Sequence, residues 1–205
     1  MKKIANFIGL GVLATLGFGL IFWTISCFIS LGNVFDAFDV DGGYGFVLLL
    51  CWIITIAAIG LLIAFIVVQL IKAIPNIKNL EDEKSLFRMN IISGLLAAQA
   101  AINGLIIIIY FAGNGADVGG RAIAVLILAI LALGAALVSF LLKNLPTLVR
   151  VILTLSATLI MAILVIMSIG GDGLMTVYYV FAMLALFGGL AYVVLENLDA
   201  FKGNK

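Results

Sequence analysis

The chain contains no histidine, two prolines and two cysteines, and only 10% of its 205 residues carry a charge. Each shortage removes a class of function. Without histidine there is no imidazole to hold a catalytic zinc or a haem iron. The two cysteines are not a CxxC pair, so disulfide-exchange chemistry has no local support. A soluble domain is about a quarter charged and half apolar, whereas this chain is 65% hydrophobic with a mean hydropathy of +1.36. That balance excludes a water-soluble globule and leaves no room for a nucleotide-binding, nucleic-acid-binding or large catalytic module. It describes an integral membrane protein whose first partners are lipids.

Apolar runs occupy about 4–31, 45–74, 89–112, 122–142, 151–169 and 174–198. A span takes about 20 apolar residues, so these predict an all-α, polytopic membrane protein of six transmembrane helices in one domain over residues 1–205. Pro75 and Pro146 sit where helices must stop. The first run is too long for the apolar core of a signal peptide, and Thr24-Ile25-Ser26-Cys27 is a poor lipoprotein box, so it reads as an uncleaved first span.

Charge placement orients the spans. Lys2, Lys3, Lys72, Lys78, Lys84, Arg88, Lys143, Arg150, Lys202 and Lys205 fall on one side and Arg121 alone on the other. Basic residues near span ends are retained in the cytoplasm, which predicts both termini inside and three helical hairpins in a cell (plasma or inner) membrane of a prokaryote. The three outer connections, Asp41-Gly42-Gly43, Asp117-Val118-Gly119-Gly120 and Gly170-Gly171-Asp172-Gly173, resemble one another. Tight-turn chemistry accounts for the likeness; a parallel threefold duplication is the alternative.

By these boundaries no ionisable side chain lies in the centre of a span, which argues against proton relays, ion-coupled pumps and voltage sensors. A serine hydrolase lacks its base, and no cofactor motif is present. What remains at depth is neutral. Gln99, Asn103 and Tyr110 share one stripe of the third helix, with Gly94, Ala97, Ala101 and Gly104 on the next. Buried amides bridge helices at about 1–2 kcal/mol or less, so the stripe reads first as interhelical glue and second as the lining of a cavity. Ala57, Gly60 and Ala64; Ala129, Ala132, Ala136 and Ser139; and Ala182, Ala185 and Gly189 form further small-residue stripes, which predict close helix crossings.

On the outer side, Leu31, Val34, Phe35 and Phe38 have the spacing of a short amphipathic interfacial helix. Trp23, Tyr44, Trp52, Tyr110, Tyr178 and Tyr179 map near the outer boundary and read as an aromatic belt. Asp36, Asp39, Asp41, Asp117 and Asp172 share that face; a hard-cation site is one reading and solvated turns the default, because the ligand pattern of an EF-hand is missing. Cys27 and Cys51 lie twelve residues either side of Asp39, which allows a disulfide; small apolar free thiols are the other reading. On the inner side, residues 74–88 form the longest connection, with an acidic cluster at Glu81, Asp82 and Glu83.

The leading expectation is therefore a non-catalytic subunit or scaffold of a larger membrane complex, joined to other subunits or to itself through small-residue faces. The second is a compact transporter or substrate-binding unit for a neutral or apolar small molecule, with Gln99, Asn103 and Tyr110 as polar contacts. In size and topology this second reading resembles the substrate-capture subunits of energy-coupling-factor vitamin transporters, a likeness of form alone. A lipid-modifying enzyme would need the outer aspartates to act with a metal.

Overall fold

The computed structural model describes residues 2–73, 84–169 and 173–202. The described chain is helical: α1 (Lys2–Val40), α2 (Gly42–Ala73), α3 (Lys84–Gly113), α4 (Gly120–Leu141), α5 (Thr147–Ser168), α6 (Gly173–Glu196) and a short α7 (Leu198–Lys202). Six of these, α1 to α6, are long and apolar enough to cross a membrane. Their exteriors suit lipid and nothing wetter, since Phe7, Phe28, Ile29, Leu61, Ile71 and Leu141 all stand exposed.

The segment expected to form a separate interfacial helix is instead the end of α1. Gly32, Asn33 and Asp36 do not break it, because tertiary contacts hold the last turns. Val34 is buried, and the Phe38 ring lies so close to Gly45 that a Cβ there would sit 2.6 Å from it. The Asp41 amide donates to the Ala37 carbonyl at 2.9 Å and the Gly45 amide to the Asp41 carbonyl at 2.9 Å, so α1 and α2 abut with Asp41 alone between them. At 39 residues, α1 is about 58 Å long, close to twice the hydrocarbon thickness of about 30 Å. It must tilt or project.

The six long helices pack in chain order around a ring that α6 closes against α1. Five of the neighbouring pairs run antiparallel, as contacts at two levels show: Trp52 with Cys27 and Ile66 with Gly17 across α2 and α1, Thr55 with Gln99 and Gln69 with Arg88 across α2 and α3, Asn90 with Ser139 and Gly104 with Leu126 across α3 and α4, Ser139 with Thr154 and Arg121 with Met167 across α4 and α5, and Trp23 with Tyr178 and Gly9 with Tyr192 across α1 and α6. α3 also reaches across the ring to α5 and α6, through Ser93 on Thr158 and Met89 on Gly189 in its first half. One end of the bundle, here the basic end, carries Lys72, Lys84, Arg88, Lys143 and Arg150; the other, the acidic end, carries Asp36, Asp39, Asp41 and Asp117 with Arg121.

Small residues make the close crossings where they were expected in α4 and α6, since Ala129, Ala132, Ala136, Ala182 and Ala185 are all buried. The Met89 thioether occupies the place a Cβ on Gly189 would take, and the Tyr192 ring comes to 2.7 Å from a Cβ built on Gly9. The α2 stripe is a correction. Ala57, Gly60 and Ala64 are exposed, because α2 meets the bundle through its opposite face, where Ala58, Ile59, Leu62 and Ile66 are buried.

Candidate functional site

The acidic half of the ring is hollow. A cavity of about 930 Å³ is walled by all six spanning helices, a size typical of small-molecule sites. Along α3 it runs from Leu96 to Ile107, about 16 Å at the helical rise. It exists because α3 presents Gln99, Ala100, Asn103 and Gly104 here. The small members of that set leave space that α5 and α6 do not fill.

The deep wall is apolar: Leu96, Met161, Leu164 and Val165, with Trp23 stacked on Tyr178 at a ring separation of 4.3 Å. The side walls are polar but largely satisfied. Thr55 Oγ1 donates to the Cys51 carbonyl at 2.8 Å and accepts from the Gln99 amide at 3.2 Å and the Asn103 amide at 2.9 Å. Gln99 and Asn103 thus act both as interhelical glue and as lining, which the sequence offered as alternatives. Asn103 Oδ1 is buried without a hydrogen-bond partner among the described residues, so only the amide nitrogen of this side chain is satisfied. Ser30 Oγ donates to the Cys27 carbonyl at 2.9 Å and the Trp52 indole donates to the same carbonyl at 2.8 Å. At the mouth stand Asn33, Gly119, Arg121 and Ser168.

Sequence reasoning placed several residues elsewhere. Tyr110 shares the stripe of Gln99 and Asn103 but lies beyond the cavity, where its hydroxyl donates to Asp41 Oδ2 at 2.6 Å. The Gly43 amide donates to Asp41 Oδ1 at 2.8 Å. These two donors hold the Asp41 carboxyl below its ordinary pKa, the Tyr110 hydroxyl having the larger effect. Four of the six belt aromatics, Trp23, Trp52, Tyr178 and Tyr179, line the cavity, with Trp23 and Tyr178 buried. They are wall rather than lipid anchor. Cys27 and Cys51 are buried free thiols on the same wall. Asp36, Asp39, Asp41 and Asp117 are exposed, and among the described residues no three acidic or thiol groups gather as a metal site. Asp172 lies outside the described residues, as do Glu81, Asp82 and Glu83.

Among the described residues the basic half is filled by a buried polar seam that was not anticipated. Arg88 and Arg150 count among the span-end charges in the sequence, yet both are buried within helices, at 4% and 9% exposure. Arg88 Nη1 donates to the Tyr192 hydroxyl at 3.0 Å and Nε to Gln69 Oε1 at 3.3 Å. The Ser85 amide donates to Glu196 Oε2 at 2.6 Å, and Asn197 Nδ2 to Ser85 Oγ at 3.0 Å. On the other side of α3, Asn90 Nδ2 donates to Ser139 Oγ at 2.9 Å, Ser139 pairs with Thr154 at 2.8 Å, and Ser93 pairs with Thr158 at 3.2 Å. The signal for this seam is the spacing of Arg150, Thr154 and Thr158, four residues apart on one helix face.

The cavity lining offers hydroxyls, side-chain amides and a guanidinium. Its hydroxyls at Ser30, Thr55 and Ser168 donate to backbone carbonyls, and among the described residues its only charged lining group is Arg121. No family model, curated protein or solved structure matches the chain.

Proposed function

We propose that this protein is a membrane substrate-binding or transport unit that takes a small, mostly apolar molecule into the cavity of its acidic half. The cavity itself carries the reading. Six helices are spread to surround it, and its polar groups sit at the sides and mouth above an apolar, aromatic floor, the division of labour expected of a ligand site. The acidic end faces the outside and the basic end the cytoplasm of a cell membrane, with three hairpins starting from the inside. Ten of the eleven basic residues support that orientation. Gln99 and Asn103 fix the side wall, while Tyr110 works outside it by holding Asp41.

A second reading, a subunit or scaffold of a larger membrane complex, has one observation of its own. The exposed Ala57, Gly60 and Ala64 stripe lets another helix approach α2 closely.

Native mass spectrometry of the protein extracted gently from its own membrane, without overexpression, tests the two. A persistent small-molecule mass on the released chain supports the cavity reading. Fixed stoichiometry with other membrane subunits and no such mass supports the scaffold. A bare, solitary chain contradicts both.

A further inference from the structure

Resting on the cavity reading, we infer that the ligand is a single-chain anionic amphiphile, with its head group on Arg121 and its apolar chain running down toward Met161. Three observations point the same way. Among the described residues Arg121 is the sole charged side chain on the wall, so a ligand that fills the cavity meets a fixed positive charge there. The guanidinium is exposed, and among the described residues its hydrogen bond goes to the Met167 carbonyl. That bond ties the side chain across from α4 to α5 and leaves other N–H donors of the fork available to an anion.

The start of α4 adds to this positive field. Gly119 caps it without a side-chain hydrogen bond, and no acidic residue occupies its first turn, so the helix terminus presents its partial positive charge beside the same mouth. Below the mouth the wall changes character within a few turns to Trp23, Leu96, Met161 and Val165. A depth of about 16 Å suits one extended alkyl or isoprenoid chain. None of the described aspartates of the acidic end lines the cavity. Asp41 is engaged by Tyr110 and Gly43, and Asp36, Asp39 and Asp117 are exposed, where solvent and salt screen them within about 10 Å.

The chain contains two tryptophans, and both Trp23 and Trp52 line the cavity, so intrinsic fluorescence reports on its occupant. The full chain is reconstituted in nanodiscs of zwitterionic lipid and titrated at alkaline pH with dibromostearate, with its methyl ester, and with dibromo-phosphatidylglycerol as the bilayer-derived source of an anionic head. Saturable quenching by the free acid is expected. The ester should bind at least about tenfold more weakly, the worth of a charge-assisted hydrogen bond. R121Q should erase that difference and R121K should keep most of it; the acid and ester comparison on the unaltered chain needs no variant to fold.

Saturable quenching by phosphatidylglycerol and not by the acid preserves the anionic head but overturns the single-chain occupant in favour of a bilayer lipid. Equal saturable quenching by acid and ester, unaffected by R121Q, overturns the head-group assignment and leaves the cavity reading standing. Quenching that never saturates with any of the three overturns both.

Discussion

The two halves of the bundle are built from the same helices and differ in what α3 offers the centre. In the basic half α3 presents Ser85, Arg88, Met89, Asn90 and Ser93, all buried, and each of the polar ones finds a partner on α2, α4, α5, α6 or the segment just after α6. In the acidic half it presents Gln99, Ala100, Asn103 and Gly104, and its two amides converge on the single hydroxyl of Thr55. Long side chains close the ring and short ones leave it open; among the described residues each half keeps one buried amide oxygen without a partner, Asn90 Oδ1 and Asn103 Oδ1. A membrane bundle gains little from burying apolar surface against lipid-like neighbours. Polar matching and steric fill therefore decide where it is solid and where it is hollow.

The sharpest way to break the closed half is Tyr192→Ala. This side chain is 1% exposed and supports Arg88; its loss leaves a cavity worth about 3–5 kcal/mol and removes one of the hydrogen bonds to a buried guanidinium. Unfolding in mixed micelles should show the largest loss of stability of any change considered. Gly9→Ala attacks the same ring from α1. The new Cβ would lie 2.7 Å from Tyr192 Cζ, and forcing it in should cost about 1–3 kcal/mol, read in the same assay. A cost no greater than that of Gly60→Ala, where nothing lies within 4 Å, would show that the ring is free to move.

The hollow half should answer differently. Changing Gln99 and Asn103 together to Leu removes two bonds of about 0.6 kcal/mol each on the membrane average, partly offset because Asn103 Oδ1 is no longer buried without a partner. Stability should therefore fall by about 1 kcal/mol or less, while ligand binding read by tryptophan quenching drops. A large stability loss with binding intact would make these residues glue alone. The smallest effect is at Asp41. Its carboxyl is held below the ordinary aspartate pKa of about 3.9, so the stability it lends is fully present above that value and lost as pH falls below it. D41N should flatten the acid limb of a melting-temperature profile, and an unchanged limb would remove Asp41 from the account.

Helix number and approximate bounds were legible because run length and apolar content suffice to mark spans. The break between α1 and α2 was not. Asn33, Asp36 and Asp39 look like turn chemistry, yet the burial of Val34 and the seat of Phe38 on Gly45 carry the helix to Val40. Gln99 and Asn103 were visible as polar residues on an apolar helix, but their shared partner Thr55 was not, since a threonine whose hydroxyl bonds its own helix gives no sign of a second role. The cavity is a property of six walls at once, and no single helix announces it. Trp23 and Tyr178 were read as lipid anchors because depth can be inferred from sequence and facing cannot. Arg88 and Arg150 show the converse error: their positions at span ends conceal that their side chains are buried.

The account stands or falls on one half being open and the other closed. Methyl methanethiosulfonate, a small thiol reagent, measures that contrast in a single experiment on the chain in nanodiscs. Its rates at Cys27 and Cys51, both on the cavity wall, are compared with the rate at Ser93→Cys in the seam, with Cys27 and Cys51 changed to Ala in that variant. Faster reaction at both native thiols than at residue 93, slowed by an occupant of the cavity, is the predicted result. Equal protection at all three positions would mean that the acidic half is as solid as the basic one, and that no ligand cavity exists.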